Sequence, residues 1–129
     1  MIYRIDVQIT VPLKATEVVD RVEECITNLF PNADVRESPG ELIAETHSMD
    51  HFAERLREQS IQATARDVFR RRTAGDTFDF ELKKQAALQG VVNFSVGNPD
   101  ELGDVYVRVR VEEPAVEEFI DHIAPPAEE

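Results

Sequence analysis

Apolar and polar residues alternate without a break at the start of the chain. Tyr3, Ile5, Val7, Ile9 and Val11 share one side, and Arg4, Asp6, Gln8 and Thr10 the other. A period of two marks a half-buried strand over residues 2–11, which Pro12 ends. The period then lengthens: Val18, Val22, Cys25 and Leu29, joined by Val19, Ile26 and Phe30, form an apolar stripe at helical spacing. Thr16 is placed to cap that helix with Glu17 in its first turn, and Pro31 stops it. Ser38-Pro39-Gly40, between Val35 and the run Leu42-Ile43-Ala44, reads as a hairpin turn. From Met49 to about Thr73, with Ser48 as cap and Asp50 in the first turn, Phe52, Leu56, Ile61, Ala65, Val68 and Phe69 again follow a helical period. Their phase shifts at Gln59-Ser60, which predicts a bend or a break.

Ala74-Gly75-Asp76 is a turn, and Phe78, Phe80 and Leu82 then alternate with Asp79 and Glu81 as a strand. Residues 83–89 fit a short helix with Gly90 as its left-handed stop. Val92, Phe94 and Val96 predict a further strand, Gly97 to Gly103 a connection, and Val105, Val107, Val109 and Val111 a last strand with Tyr106, Arg108 and Arg110 turned outward. Pro114 suits the first turn of a final helix striped by Val116, Phe119, Ile120 and Ile123, and Pro125-Pro126 ends it. The order is β-α-β-β-α-β-(short α)-β-β-α. Hairpin-joined strands with helices on one face make an α+β fold with a mostly antiparallel sheet, not a doubly wound parallel one. At 129 residues the chain has the length of one domain, expected over residues 1–124, with an acidic tail at 125–129 expected to fray.

Charge changes this picture. The chain has 26 acidic and 14 basic residues, a net charge of −12, and only Lys14, Lys83 and Lys84 among the basic ones are lysines. An acidic, lysine-poor composition points to a high-salt cytoplasm and a halophilic archaeal source, because carboxylates hold hydration and self-repulsion opposes precipitation. At molar salt the Debye length is about 3 Å, so any anion site must work by direct contact. No apolar run approaches the roughly 18–20 residues of a membrane span, and the N-terminus reads as a strand and not a leader, which implies a cytoplasmic protein. The single cysteine, Cys25, excludes an internal disulfide and reads as a core residue.

The positive charge is concentrated. Arg55, Arg57, Arg66, Arg70, Arg71, Arg72, Lys83 and Lys84 give residues 55–84 a local charge of +3 against −15 for the remainder. Three consecutive arginines span most of a helical turn and do not serve one buried face. At a helix C-terminus they complement the macrodipole, and their planar guanidinium groups also suit phosphate. Lys83-Lys84 adjoins Gln85 at the start of a short helix whose amides would lie near the same anion. A second surface arises if the first and last strands are neighbours, since Arg4, Tyr106, Arg108 and Arg110 would then share a sheet face. With one aromatic it is a poor base-stacking platform, and cover by helices or a dimer partner is the preferred reading. His47 and His51 stand four apart but lack a third ligand, and read as helix-start residues. No phosphate-binding glycine loop, nucleophile elbow or histidine-centred triad is present, so no catalytic residue, metal or cofactor is assigned.

The block Phe80-Glu81-Leu82-Lys83-Lys84-Gln85-Ala86-Ala87, followed by Gly90-Val91-Val92-Asn93-Phe94, resembles the pattern of an archaeal family labelled as an RNA-binding domain. Ile61-Gln62-Ala63-Thr64-Ala65-Arg66 and Gly103 are similar to further parts of that pattern. Lys83 stands where Asn is commoner, and Ala63 where Asp is expected. The resemblance implies an α+β fold like that of the ribosomal protein that binds five-S RNA. It also implies homodimerisation, and association in some archaea with a dephospho-CoA-kinase-like domain. The expectation that results is a non-catalytic module contacting structured RNA through Arg66, Arg70, Arg71, Arg72, Lys83, Lys84 and Gln85. The rival is a protein-interaction or regulatory subunit of a CoA-pathway enzyme, with the basic stretch facing an acidic partner.

Overall fold

The computed structural model describes residues 3–95 and 103–126. Six strands form one antiparallel sheet in the order β2-β3-β1-β6-β5-β4, comprising β1 (Arg4–Pro12), β2 (Asp34–Ser38), β3 (Glu41–Thr46), β4 (Thr73–Ala74), β5 (Thr77–Lys83) and β6 (Asp104–Glu113). Five helices accompany it: α1 (Val19–Thr27), α2 (Asp50–Glu58), α3 (Gln62–Arg71), α4 (Lys84–Leu88) and α5 (Val116–Ile123). The fold is α+β, as the alternating pattern implies, with the first and last long strands side by side at its centre.

The period of two decides which side is covered. Ile5, Val7, Ile9 and Val11 of β1, Val105, Val107, Val109 and Val111 of β6, and Phe78, Phe80 and Leu82 of β5 are buried. They meet the stripes of the helices, α3 against β5, α5 against β6 and α1 against β3. The aromatic rings gather in the middle, where Phe69 of α3 lies 4.9 Å from both Phe78 and Phe80. The opposite face of the sheet carries Asp6, Gln8 and Thr10, Tyr106, Arg108 and Arg110, and Thr77, Asp79 and Glu81, all exposed or half-buried.

The break expected at Gln59-Ser60 is present, because Ser60 takes a left-handed φ of 58° between α2 and α3. Three other local details differ from the sequence expectation. Helix α1 begins at Val19 with no side-chain cap; Glu17, expected in its first turn, instead accepts the Lys14 N–H at 2.9 Å and turns inward. Pro114 precedes α5 instead of standing in its first turn, and Ala115 is the N-cap. Residues 92–95 make only an isolated bridge, between Leu82 and Phe94. Val92 and Phe94 still point inward as predicted. The segment is held by two bonds to β5, Lys83 N–H to Asn93 O (2.8 Å) and Ser95 N–H to Glu81 O (2.8 Å), and by Gln59, whose amide brackets the Val92 backbone. It thereby satisfies the part of the β5 edge that the two-residue β4 leaves uncovered. Val96 and the connection as far as residue 102, like the tail at 127–129, lie outside the described residues. Among the described residues no helix is long and apolar enough to cross a membrane.

Candidate nucleic-acid interface

The sheet divides the basic stretch of the sequence between its two sides and its interior. Arg66, Arg70 and Arg71 belong to α3, on the helical side. Arg66 donates to Asp121 and to Ala124 O, tying α3 to α5. Arg71 pairs with Asp67 one turn earlier at 2.9 Å, and Arg70 is exposed. Arg72, just past the helix, reaches instead over the open sheet face, with Nε 2.7 Å from Asp79 Oδ1 and a terminal nitrogen 3.3 Å from Glu81. Lys83 also takes an open-face position in β5, opposite Asp104. Gln85 is exposed on α4.

Lys84 is a correction to the expected phosphate contact. Its side chain is 2 % exposed, and Nζ donates to Pro12 O at 2.5 Å and to Glu17 Oε1 at 2.8 Å. A buried ammonium survives only when paired and hydrogen-bonded. Lys84 therefore serves as an internal tie between α4, the end of β1 and the turn before α1.

Cys25 lies under the same tie, with Sγ 3.6 Å from Lys84 O. Burial pushes its thiol up to about 11, partly countered by the Lys84 charge. The unfolded chain loses this proton first, near the ordinary thiol value of 9.0, so the thiol's contribution to stability is present below about pH 9 and is lost as pH rises towards 11. Urea midpoints measured from pH 8 to 11 should therefore fall, and Cys25→Ala should flatten the decline. An equal slope in the variant would contradict this.

His47 and His51 contact backbone carbonyls, Ile5 O at 3.0 Å and Asn28 O at 3.1 Å. Among the described residues no cluster of His, Cys, Asp or Glu could hold a metal ion.

The open face is organised by Asp79. Across the ladder Asp79 stands directly opposite Arg108, so the two would be expected to pair. They do not. Asp79 Oδ1 accepts from Arg72 and Oδ2 accepts from the Tyr106 hydroxyl, each at 2.7 Å. Burial and then this carboxylate raise the Tyr106 pKa, so its hydroxyl remains the donor. Among the described residues Arg108 is left without a hydrogen bond or ion pair, exposed beside Arg110. Arg110 is held at 3.3 Å by Asp76, whose pKa is lowered by the Thr77 hydroxyl and by Arg110 itself.

Arg108 and Arg110 border a concavity of about 560 Å³ over β3, β1 and β6, completed by Asp6, Val7, Gln8, Glu45 and His47. This volume is within the usual range for ligand sites, roughly 300–1,000 Å³. Sequence reasoning brought Arg4, Tyr106, Arg108 and Arg110 to one side and expected helices or a dimer partner to cover it; among the described residues no helix does. It missed Gln8, Glu45 and Asp79, whose placement depends on which strands are neighbours.

A family model described as RNA binding matches residues 6–113. The chain is 33% identical over 126 residues to a UPF0201 protein of Methanocaldococcus jannaschii, covering 93% of this chain and 72% of that protein. It is also 33% identical over 122 residues to a UPF0200/UPF0201 protein of Archaeoglobus fulgidus, but spans only 38% of that longer relative. The crystal structure of a UPF0201 protein from Methanococcus jannaschii superposes with a TM-score of 0.88 at 33% identity, over 95% of each chain. A Methanothermobacter thermautotrophicus structure at 19% identity, with a TM-score of 0.63, shares the fold. With this breadth of match, the chain belongs to the UPF0201 family, whose model carries the description RNA binding.

Proposed function

We propose that this protein is a non-catalytic module that contacts structured RNA through its open sheet face, with Arg108 and Arg110 at the centre and Arg4, Arg72 and Lys83 around them. The reading is carried by Arg108. The carboxylate directly across the ladder from Arg108, Asp79, is already occupied by Arg72 and Tyr106. A weakly hydrated, planar donor left over a concave polar surface suits phosphate or a base edge, even at salt concentrations that screen long-range attraction. The family description supports the choice of RNA.

The test is fluorescence anisotropy of labelled transfer and ribosomal RNA fragments across a potassium chloride series. Arg108→Ala should weaken binding about 10-fold or more, the effect of losing charge-assisted hydrogen bonds. Arg70→Ala, on the helical side, should leave it unchanged. The converse result, with Arg70 needed and Arg108 dispensable, would move the contact to α3 and refute the open-face assignment.

A second reading is favoured by the Archaeoglobus fulgidus relative, in which this domain forms a minor part of a longer chain. In that reading the domain regulates or positions an attached or associated enzyme. A pull-down at native salt that recovers protein but no nuclease-sensitive material would support it.

A further inference from the structure

The geometry points to a guanine-selective pocket in the concavity over β3, β1 and β6, with Glu45 and Arg108 as its two reading residues. This inference rests on the open face being a contact surface, as proposed above.

The ladder puts three polar side chains in one row. Gln8 is paired with Glu45 on one side and with Arg108 on the other. Neighbouring strands are about 4.8 Å apart, so Glu45 and Arg108 flank Gln8 at roughly 10 Å between their backbones. A planar base lying over Gln8 would meet a carboxylate at one edge and a guanidinium at the other. None of these three side chains makes a hydrogen bond or ion pair among the described residues, so the fold itself uses none of them. The site is closed towards the end of the sheet by His47, whose Nδ1 lies 3.0 Å from Asp6 Oδ1.

The donor and acceptor inventory selects the base. A carboxylate only accepts and a guanidinium only donates. Guanine offers two adjacent donors on its Watson–Crick edge, N1–H and the N2 amino group, and two adjacent acceptors, O6 and N7, on the other. Arginine to O6 and N7 is the commonest specific base contact. Adenine turns the N1 lone pair towards the carboxylate, and uracil flanks its single N3–H with two carbonyls, so both leave Glu45 facing an acceptor. Arg110 stands one pleat from Arg108, about 7 Å along β6, where it meets the phosphate of the same nucleotide. Asp76 and Glu112, on its Nε and its terminal nitrogen, hold it there.

The same chemistry is found in a strand of RNA and in a free guanine nucleotide, and the experiment separates them. Anisotropy would be read with labelled heptauridylate carrying uracil, guanine, adenine or inosine at its centre. GMP and AMP would be titrated in parallel by calorimetry against the same protein. The expected result is about tenfold tighter binding of the guanine strand than of the adenine strand, with inosine, which lacks the N2 amino group, between them. Glu45→Gln, at an exposed position, should abolish the preference for guanine over adenine. Arg108→Ala should weaken every strand. Glu45-dependent binding of GMP with no strand bound would keep the pocket and overturn the RNA reading. Equal affinity for all four strands, still dependent on Arg108, would overturn the pocket and leave the RNA reading standing. Failure of every strand and both nucleotides would overturn the pocket, and failure of the transfer and ribosomal fragments as well would overturn the RNA reading.

Discussion

Replacing Lys84 with alanine is expected to destabilise the protein by about 3–5 kcal/mol, the cost of breaking a buried ion pair from one side. The substitution deprives the Glu17 carboxylate, only 13% exposed, of its ion-pair partner and removes the donor to Pro12 O. It also leaves a void under α4. Against a typical total stability of 5–15 kcal/mol this is a large fraction. The urea midpoint followed by circular dichroism measures it. Replacing both partners, Lys84→Met with Glu17→Leu, should recover most of the loss, because apolar side chains of similar volume often replace a buried pair without penalty. The deficit of Lys84→Ala should also persist in molar potassium chloride, since salt screens a buried pair little. A loss below about 1 kcal/mol would show that the tie is not structural. For the same reason, charge reversal at Lys84 does not test ligand contact: it would set a carboxylate against Glu17, and the fold would fail first.

Phe69→Ala should cost a similar amount, about 3–5 kcal/mol, through a different mechanism. Phe69 is fully buried, and its ring lies 4.9 Å from Phe78 and Phe80 and 5.8 Å from Phe94 in an edge-to-face contact. Truncation opens a cavity at the point where α3, β5 and the segment around Phe94 meet, and it removes three ring contacts together. The effect should be strongest locally. Hydrogen exchange should accelerate at the Lys83 and Ser95 amides, whose bonds to Asn93 O and Glu81 O depend on Phe94 being seated. Global destabilisation without faster exchange at those two amides would contradict this account of how the β5 edge is protected.

What was legible in the chain was what periodicity carries. Alternation identified β1, β5 and β6 with their inward faces. The apolar stripe identified α1 and α5, and the phase shift at Gln59-Ser60 located the break that Ser60 makes with its left-handed φ. Even at residues 92–95, where no strand formed beyond a bridge, Val92 and Phe94 point inward as the pattern requires. Composition likewise distinguished Lys84 as unusual in a lysine-poor chain, but not in which direction. Clustered positive charge on paper reads the same whether it faces solvent or a buried carboxylate.

The partnerships depended on tertiary structure. Glu17 and Lys84 are 67 residues apart, and Arg66 and Asp121 are 55 apart. No local pattern reports such distances, because the energy of an ion pair depends on separation in space and on burial, and neither is a property of the sequence near it. The same holds for the candidate site. Alternation alone put Arg108 on the polar side of its strand. Only the order β3-β1-β6-β5 set Glu45, Gln8, Arg108 and Asp79 in one row, and only the capture of Asp79 by Arg72 and Tyr106 released Arg108. The sequence by itself determined the elements and which face of each would be buried, because hydrophobic period is local. The fold decided which charges were consumed and which were left to act, because charges are neutralised by neighbours in space and not along the chain.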